Sequence, residues 1–243
     1  MLNGRISIIC PVYNEAEVIR STLSEIALKV TIPHDLLIVY DFDEDNTLPV
    51  VRAYIEEARA DHIQLVRNDI GKGVVNALRK GFQEATNGAI LVVMGDLSDD
   101  LGIVQKMYRM ISEEGYDLVC GSRYMRGGKH IGGPILKKSL SRAAGVSIHL
   151  LTGMPTHDVS NSFKMYRKSL IEDITIESTG GFEIGFEILA KAFIKDKKIG
   201  EIPSVWMDRA GGESKFQLSR WLPHYLHWYF LLLKHKFVSK VQL

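Results

Sequence analysis

The sequence predicts an α/β domain built around a mostly parallel sheet, and three observations support this fold class. In the first half, short β-branched runs alternate with stretches of about 10–20 residues that have helical spacing. The runs are continuously apolar rather than alternating, as expected for strands that are covered on both faces. A chain of 243 residues that is 46% hydrophobic can also bury a sizeable core, which excludes a disordered or disulfide-framework protein.

The predicted elements follow one another in a regular order. The strands are Ile6–Cys10, Leu36–Val39, Ile63–Val66, Ile90–Met94 and Leu118–Gly121. The helices are Ala16–Val30, Thr47–Ala60, Val74–Thr86 and Gly102–Glu114. This alternation indicates βαβ crossovers and therefore one α/β domain, to which a more irregular second half is appended.

Charge, cysteine content and hydropathy exclude other classes. Thirty Lys and Arg residues against 29 Asp and Glu leave a net charge of +1, which does not indicate a nucleic-acid-binding protein. Cys10 and Cys120 lie in predicted strands without metal or redox spacing, so we expect buried, reduced thiols in a cytosolic protein. The N-terminal apolar run is too short for a secretory signal, and no stretch reaches the ~20 apolar residues of a membrane span.

The candidate site lies just after the predicted strands, because ligands of open α/β sheets bind beyond the carboxyl ends of the strands. Polar groups are concentrated there, in the segments 11–15, 41–47, 95–100 and 122–124. The common cofactor motifs are absent: the first turn lacks G-x-G-x-x-G, and the glycines around Lys72 do not complete a Walker A loop. Neither a G-x-S-x-G turn nor zinc-ligand spacing occurs.

Basic and acidic residues are segregated along the chain. The segment Leu118–His157 contains no Asp or Glu over 40 residues, where the chain average predicts about five. It carries, with glycines interspersed, the basic residues Arg123, Arg126, Lys129, Lys137, Lys138 and Arg142. Because glycine permits close backbone approach and Arg and Lys neutralise phosphate, this segment is a candidate polyanion site. The alternative is a solvated basic loop.

Aspartates are grouped after the second and fourth predicted strands. They are Asp41, Asp43, Asp45, Asp96, Asp99 and Asp100. Carboxylates beside a phosphate site suit a hard divalent cation such as Mg²⁺ or Mn²⁺, which completes its shell with phosphate oxygens. Several could instead cap helices, Asp45 before the second helix and Asp99 or Asp100 before the fourth. We expect both roles, with Asp96 as the candidate metal ligand.

A set of motifs occurs in order along the chain. They are Pro11-x-Tyr13-Asn14-Glu15, Asp41…Asp45-Asn46-Thr47, Gly95-Asp96-Leu97-Ser98, Gly121-Ser122-Arg123-Tyr124, Asp158…Phe163-Lys164 and Asp208-Arg209…Gly212-Glu213-Ser214-Lys215. Together they resemble those of family 2 glycosyltransferases, which have a GT-A (Rossmann-like) fold. The resemblance covers residues 5–216 and is strongest to dolichyl-phosphate mannose synthase and related enzymes that charge polyprenyl phosphates.

The resemblance implies roles for the matching positions. It implies donor nucleotide-sugar binding by Pro11, Tyr13, Glu15, Asp41, Lys72, Arg209 and Lys215, acceptor-phosphate binding by Arg123, Lys137 and Ser141, and a Mg²⁺ or Mn²⁺ ion at Asp96 and Ser98. The catalytic residues would be Asp96, Arg123 and Arg209. Asp158 and Glu187 are candidates for sugar-hydroxyl contacts or, equally, for buried structural roles.

Two positions depart from the family pattern. Met94 stands where the D-x-D metal motif has its first aspartate, and because a thioether is a poor ligand for Mg²⁺ or Mn²⁺ we expect weaker metal binding. Tyr40-Asp41 stands where the family usually has two aspartates, which leaves the nucleotide base undecided.

The implied reaction is an inverting transfer of a sugar from GDP-mannose or a UDP-hexose to a polyprenyl or dolichyl phosphate. The acceptor oxygen is already ionised at neutral pH, so no general base is required. One alternative is a family 2 enzyme that transfers sugar to a sugar or protein hydroxyl, with Asp158 as base. Another is an inactive nucleotide-sugar-binding subunit.

Residues 218–243 are predicted to form an amphipathic helix after a glycosyltransferase domain of residues 1–217. The segment Ser214–Leu243 has no acidic residue, and basic residues flank its apolar, aromatic block Tyr225–Leu233. This pattern is typical of a helix in the headgroup zone of a membrane. We therefore expect a cytoplasmic protein bound peripherally to a membrane, the alternative being a helix packed on the core or between subunits.

Overall fold

The computed structural model describes residues 4–208 and 218–238, with the backbone alone for residues 218–220. The strands are β1 (Ile6–Pro11), β2 (His34–Tyr40), β3 (Ile63–Arg67), β4 (Ala89–Val92), β5 (Leu118–Ser122), β6 (Lys129–Ile131), β7 (Lys164–Arg167), β8 (Ile199–Pro203) and β9 (Val205–Met207). The helices are α1 (Ile19–Lys29), α2 (Thr47–Ala58), α3 (Val74–Glu84), α4 (Val104–Ser112, after a 3₁₀ turn Leu101–Ile103), α5 (Ile135–Thr152), α6 (Lys168–Asp173), α7 (Ile184–Ile194) and α8 (Leu218–Val238).

Seven strands form the central sheet in the order β3-β2-β1-β4-β7-β5-β8. All neighbouring pairs are parallel except those of β7, which runs antiparallel to both β4 and β5. Strands β6 and β9 pair separately as a short parallel ribbon. The prediction of a mostly parallel sheet is confirmed.

Helices cover the sheet on both faces, which explains why the strands are continuously apolar. In β1, Ile8 and Cys10 belong to the apolar layer on one face, and Ile9 belongs to the layer on the other. Each such side chain contributes roughly 1.5–3 kcal/mol when it is fully removed from water. Cys10 and Cys120 are buried and unpaired, as predicted.

The predicted helix boundaries need one correction at the candidate site. Helix α1 begins at Ile19 rather than Ala16, because the preceding backbone is bound by side chains of the next βα connection. The Glu15 N–H donates to Thr47 Oγ1 over 2.9 Å, and the Ala16 N–H donates to Asn46 Oδ1 over 3.3 Å. These contacts hold residues 14–16 in a turn that faces the end of β2.

Helix α8 packs on α5 and α7. Trp228 and Leu232 are buried, and Tyr229 Oη lies 3.0 Å from Ser147 Oγ of α5. Phe230, on the opposite side of the helix, is 60% exposed. Over the residues that the structure describes, no helix combines the length and apolar content needed to cross a bilayer.

Candidate active site

A cavity of about 870 Å³ lies beyond the carboxyl ends of β1, β2, β4 and β5 and is bordered by α5 and α8. The predicted site residues that line it are Pro11, Tyr13, Glu15, Asp41, Lys72, Asp96, Ser98, Arg123, Lys137 and Ser141. Acidic and basic groups that lie 24 residues or more apart in the sequence, such as Lys72 and Asp96, therefore share one cavity. Arg209 and Lys215 lie outside the described residues.

Asp41 organises the part of the cavity beyond β2. Its Oδ1 accepts a hydrogen bond from Asn68 Nδ2 over 2.7 Å, and its Oδ2 accepts one from the Gly73 N–H over 2.7 Å. Gly73 has a φ of +103°, which glycine adopts readily and other residues rarely do. The carboxylate thus folds the turn that contains Lys72 back over the end of the sheet. Both Lys72 and Gly73 line the cavity.

Asp45 has a structural role beside this end of the cavity. It is buried, and its carboxylate accepts hydrogen bonds from the backbone N–H groups of Asn14 (3.1 Å) and Thr47 (2.8 Å). Asn14 has a φ of +54°, a conformation that Asn tolerates better than most residues. Asp45, one residue before the N-cap position Asn46, therefore holds the first N–H of α2 and joins this helix to the turn after β1.

The turn after β4 presents Asp96 and Ser98 to the cavity. Asp96 Oδ1 accepts hydrogen bonds from Ser98 Oγ (2.6 Å) and from the Ser98 N–H (3.2 Å). Leu97, between them, has a φ of +63°, which is costly for a side chain with a Cβ and is held by the surrounding turn.

The neighbouring carboxylates support this turn. Asp99 accepts the Met94 N–H over 2.9 Å, and burial, opposed by this bond, raises the pKa of Asp99 to about 7. Asp100 accepts the Gly102 N–H over 3.2 Å and so caps the 3₁₀ turn.

Oxygen donors at this turn fit a hard divalent cation, but they are few. Asp96 and Ser98 offer carboxylate and hydroxyl oxygens, the ligand type that Mg²⁺ and Mn²⁺ prefer. Met94 lines the cavity with a thioether beside them. Among the described residues, no group of three or more His, Cys, Asp and Glu side chains could hold a metal ion. The residues suit a cation that takes most of its ligands from a bound diphosphate.

Arg123 lies in a buried ion pair across the cavity. Its Nε donates to Asp158 Oδ2 over 2.7 Å and its Nη2 donates to Asp158 Oδ1 over 2.8 Å, with the two side chains 9% and 0% exposed. Burial opposes the charge of each group, but the pair raises the pKa of Arg123 and lowers the pKa of Asp158, so both stay ionised. Sequence reasoning left the role of Asp158 undecided, and the structure shows a salt bridge.

The hydroxyl groups around Arg123 extend this network towards α5. Arg123 Nη2 also donates to Ser160 Oγ (2.9 Å) and Ser141 Oγ (3.2 Å), and the two serine oxygens are 2.6 Å apart. Tyr124 Oη donates to Ser141 Oγ over 2.9 Å. Lys137 lies one helical turn before Ser141 on α5 and lines the same cavity. The basic segment is therefore partly a helix and not only a loop, a feature that the sequence reasoning missed.

Helix α8 forms an apolar wall of the cavity, which the sequence did not predict. The α8 residues that line it are Trp221, Leu222, Tyr225, Leu226 and Tyr229. Gly180 and Gly181 permit this approach, because a Cβ on either would lie within 3 Å of the rings of His224 or Trp221. The cavity is thus lined by charged side chains at the ends of the strands and by aromatic side chains of α8.

Glu187 does not line the cavity. It is buried, and its carboxylate accepts hydrogen bonds from the backbone N–H groups of Glu177 (2.6 Å) and Ser178 (2.8 Å). Lys191 Nζ also donates to Glu187 Oε1 over 2.7 Å. Glu183 holds the N–H groups of Gly180 and Gly181 in the same way. Of the two roles considered for Glu187, the structure supports the buried structural one.

Comparison with known proteins gives a family and several relatives. The model of the family described as Glycosyl transferase family 2 matches residues 7–175. The chain is 29% identical over 235 residues to a dolichol-phosphate mannosyltransferase of Pyrococcus furiosus, which covers 95% of this chain and 64% of that protein. It is 27% identical over 219 residues to a dodecaprenyl-phosphate galacturonate synthase of Rhizobium johnstonii, which covers 88% of this chain and 62% of that protein. The chain thus spans a little under two thirds of the length of these relatives.

Solved structures share the fold at lower identity. Glucosyl-3-phosphoglycerate synthase from Mycobacterium tuberculosis, in complex with Mn²⁺, UDP-glucose and phosphoglyceric acid, superposes with a TM-score of 0.70 at 14% identity and covers 95% of this chain and 80% of its own. The same enzyme with Mg²⁺ and UDP gives a TM-score of 0.65 at 15% identity, over 96% of this chain and 79% of its own. This similarity confirms the predicted GT-A type of α/β fold.

Proposed function

Since the chain belongs to glycosyl transferase family 2, we propose that it transfers a sugar from a nucleotide-diphosphate sugar to a polyprenyl or dolichyl phosphate, with inversion at the anomeric carbon. The donor would be GDP-mannose or a UDP-hexose. The named functions of the Pyrococcus and Rhizobium relatives, which are polyprenyl-type phosphate sugar transferases by name, support this acceptor class.

One observation carries the proposal: a single cavity is acidic at the end of β4 and basic beyond β5. The carboxylate of Asp96 lines one part of it, and Arg123 and Lys137 line another. Two phosphorylated reactants repel each other in water, so a site that joins them needs cations for each. The acceptor phosphate would bind to Arg123, Lys137 and Ser141.

The Arg123–Asp158 pair favours a phosphate acceptor over a hydroxyl acceptor. A hydroxyl acceptor requires a base, and Asp158, the candidate for that role, is buried with its pKa lowered by the Arg123 guanidinium against the effect of burial. Asp158 instead orients the guanidinium through Nε and Nη2. Among the described residues, the hydrogen bonds of Arg123 use its backbone N–H, Nε and Nη2, so the donors on Nη1 are available to a phosphate oxygen.

Stabilisation of the leaving diphosphate accounts for the remaining chemistry. Asp96 and Ser98 would hold a Mg²⁺ or Mn²⁺ ion, which supplies positive charge to the diphosphate when it is bound. Asp41 and the Lys72–Gly73 turn would hold the nucleoside, and Arg209 with Lys215, through the family resemblance, the diphosphate. Because hydrogen bonds already hold Asp41, Asp96 and Ser98 in place, little reorganisation of these three groups would be needed in the transition state.

We also propose that the protein is cytoplasmic and binds a membrane peripherally through α8. Leu226 (40%) and Phe230 (60%) are exposed on this helix, whereas Trp228 is buried against the protein. Flotation with vesicles of zwitterionic and anionic lipids tests this. Phe230→Asp should weaken flotation without lowering Tm, and wild-type protein that does not float would contradict the proposal.

Radiolabelled transfer tests the proposed reaction. The wild-type chain is incubated with Mn²⁺ and labelled GDP-mannose, UDP-glucose or UDP-galactose, and with farnesyl phosphate or farnesol as acceptor. We expect product with farnesyl phosphate only, and its loss in Lys137→Ala but not in Lys106→Ala, a substitution on exposed α4 surface. Product with farnesol would favour the hydroxyl-acceptor alternative. Nucleotide-sugar binding with no transfer to either acceptor would favour the inactive-subunit alternative.

A further inference from the structure

We propose that His130, Trp206 and Asp208 form a subsite that recognises the hydroxyl groups of the transferred hexose. The proposal rests on the proposed function, because it concerns the sugar that this reaction would move. All three side chains line the cavity, and none of them belongs to the donor, acceptor or metal groups described above.

The β6–β9 ribbon places these residues between the two ends of the reaction. On the metal side, the Met207 N–H donates to the Ser98 carbonyl over 3.2 Å, so β9 is joined to the turn that carries Asp96. On the acceptor side, His130 Nδ1 lies 3.1 Å from Tyr124 Oη, which in turn donates to Ser141. In the proposed reaction, the anomeric carbon of the transferred sugar must lie between the diphosphate and the acceptor phosphate. The ribbon lines the cavity along this span through His130 and Trp206.

Two glycines allow the three side chains to converge. Gly132 and Gly133 have φ values of +79° and +72°, which glycine adopts without penalty. A Cβ at Gly132 would lie 2.8 Å from Asp208 Cβ. A Cβ at Gly133 would lie 3.6 Å from His130 Nε2 and 3.7 Å from the Trp206 ring. The close contact at Gly132, together with the positive φ of both residues, therefore favours glycine in the turn between β6 and α5, whereas the distances at Gly133 are ordinary van der Waals contacts.

The chemistry of the cluster suits a sugar rather than an ion. The His130 and Trp206 rings meet edge to face with centroids 4.5 Å apart, which presents an apolar surface with N–H groups at its edge. Burial, with further contributions from Arg123 and Lys138, lowers the pKa of His130 to about 4, so the imidazole is neutral at physiological pH. A neutral imidazole and a carboxylate offer hydrogen bonds of both senses to hydroxyl groups.

The His130 side chain is already held in one orientation by the protein. Tyr124 engages Nδ1 of His130, and Nε2 makes no hydrogen bond with the described residues. A site that hydrogen-bonds a substrate hydroxyl discriminates strongly against an analogue that lacks it, because its own polar groups are then left unpaired. We therefore expect the cluster to set which hexose is accepted.

The test compares sugar recognition with nucleotide recognition. We would measure calorimetric Kd values for UDP, UDP-glucose and UDP-galactose, and for GDP and GDP-mannose, with Mn²⁺ present. Transfer to farnesyl phosphate gives kcat/KM for each donor. The variants are His130→Ala, Trp206→Phe and Asp208→Asn, with Met207→Ala as the matched control, since Met207 lies on the same strand, is 53% exposed and does not line the cavity.

We expect roughly a tenfold to hundredfold loss of kcat/KM in the three variants, with a changed ratio between the glucose and galactose donors, because each removes one or two hydrogen bonds to the sugar. Their Kd values for the free nucleoside diphosphates should stay within about twofold of wild type. Variants whose donor ratio and kcat/KM match those of Met207→Ala would overturn the inference. If no donor is transferred by the wild type, the proposed function fails. The Kd difference between UDP-sugar and UDP still tests the subsite, which is overturned if the variants leave that difference unchanged.

Discussion

The Arg123–Asp158 pair makes a prediction that separates stability from acceptor recognition. Its two hydrogen bonds of 2.7 and 2.8 Å are almost wholly shielded from water, so removing one partner leaves an uncompensated buried charge. Such a change costs about 3–5 kcal/mol. At ~2–4 °C per kcal/mol for a chain of this size, Arg123→Met and Asp158→Asn should each lower Tm by roughly 6–20 °C.

The double variant is the informative one, because it removes both charges. Its loss of unfolding free energy should be smaller than the sum of the two single losses by about 1–3 kcal/mol. Urea denaturation of the wild type, the two single variants and the double variant measures this difference. Losses that simply add would show that the pair does not act as a unit. Losses below about 1 kcal/mol would show that the pair is hydrated in solution and behaves as a surface pair.

Activity gives the second readout for the same variants. Arg123→Met should raise KM for farnesyl phosphate and lower kcat, with the Kd of the nucleotide-sugar within about twofold of wild type. An equal loss of donor binding and transfer would refute the assignment of Arg123 to the acceptor. Assays would be run below the Tm of the least stable variant, so that unfolding does not contribute to the loss.

Three further predictions concern the metal turn and α8. Met94→Asp, which supplies a second carboxylate near Asp96, should lower the Kd for Mn²⁺ about tenfold in calorimetric titrations without nucleotide. Tight binding of Mn²⁺ by the wild type in the absence of nucleotide would contradict the assignment of a weak metal site to Asp96 and Ser98. In the metal-free protein, the raised pKa of Asp99, about 7 against an ordinary value of 3.8, means that stability present at low pH is lost as pH rises through about 7. Asp99→Asn keeps an acceptor for the Met94 N–H, so it should be more stable than wild type at about pH 8 and similar at about pH 4 in urea denaturation; equal curves at both would disprove this. In the same measurement, Trp228→Ala should lower the free energy of unfolding by about 3–5 kcal/mol, whereas Phe230→Ala should change it by no more than about 0.5 kcal/mol. Equal losses in the two variants would show that α8 is not docked through Trp228.

The first half of the fold could be predicted because its signal is local. Strands β1, β2, β4 and β5 are buried over most of their length, and their apolar runs are visible in the sequence without any partner, whereas β3 is a half-exposed edge strand. Strand β7 has no such signal: it is four residues long and begins with Lys164, which is fully buried and donates to the carbonyl oxygens of Val159 and Asn161. Its insertion between β4 and β5, in the opposite direction, depends on pairings far apart in sequence.

The site divides in the same way. The rule that ligands bind beyond the carboxyl ends of parallel strands was enough to predict the segments that contain Asp41, Asp96 and Arg123. It could not predict that Arg123 pairs with Asp158, 35 residues later, or that α8 closes one side of the cavity. Those features arise from tertiary packing, and the aromatic residues of α8 carry the same pattern whether they face a membrane or a cavity. The membrane role of residues 218–243 stays a prediction.

The reversed strand β7 brings a segment that is distant in sequence to the basic side of the cavity. Because β7 lies between β4 and β5, the residues 159–162 that precede it line the cavity beside β5, next to the groups proposed on α5 for the acceptor phosphate. The described groups proposed for the nucleotide and its metal all precede residue 100, and those proposed for the lipid phosphate lie between 123 and 141. The groups proposed for the nucleotide and for the acceptor phosphate thus lie in successive blocks of one gene, whereas the proposed hexose subsite draws on residues 130, 206 and 208. A substitution in the first block can therefore alter the proposed nucleotide site while the proposed acceptor residues are inherited intact.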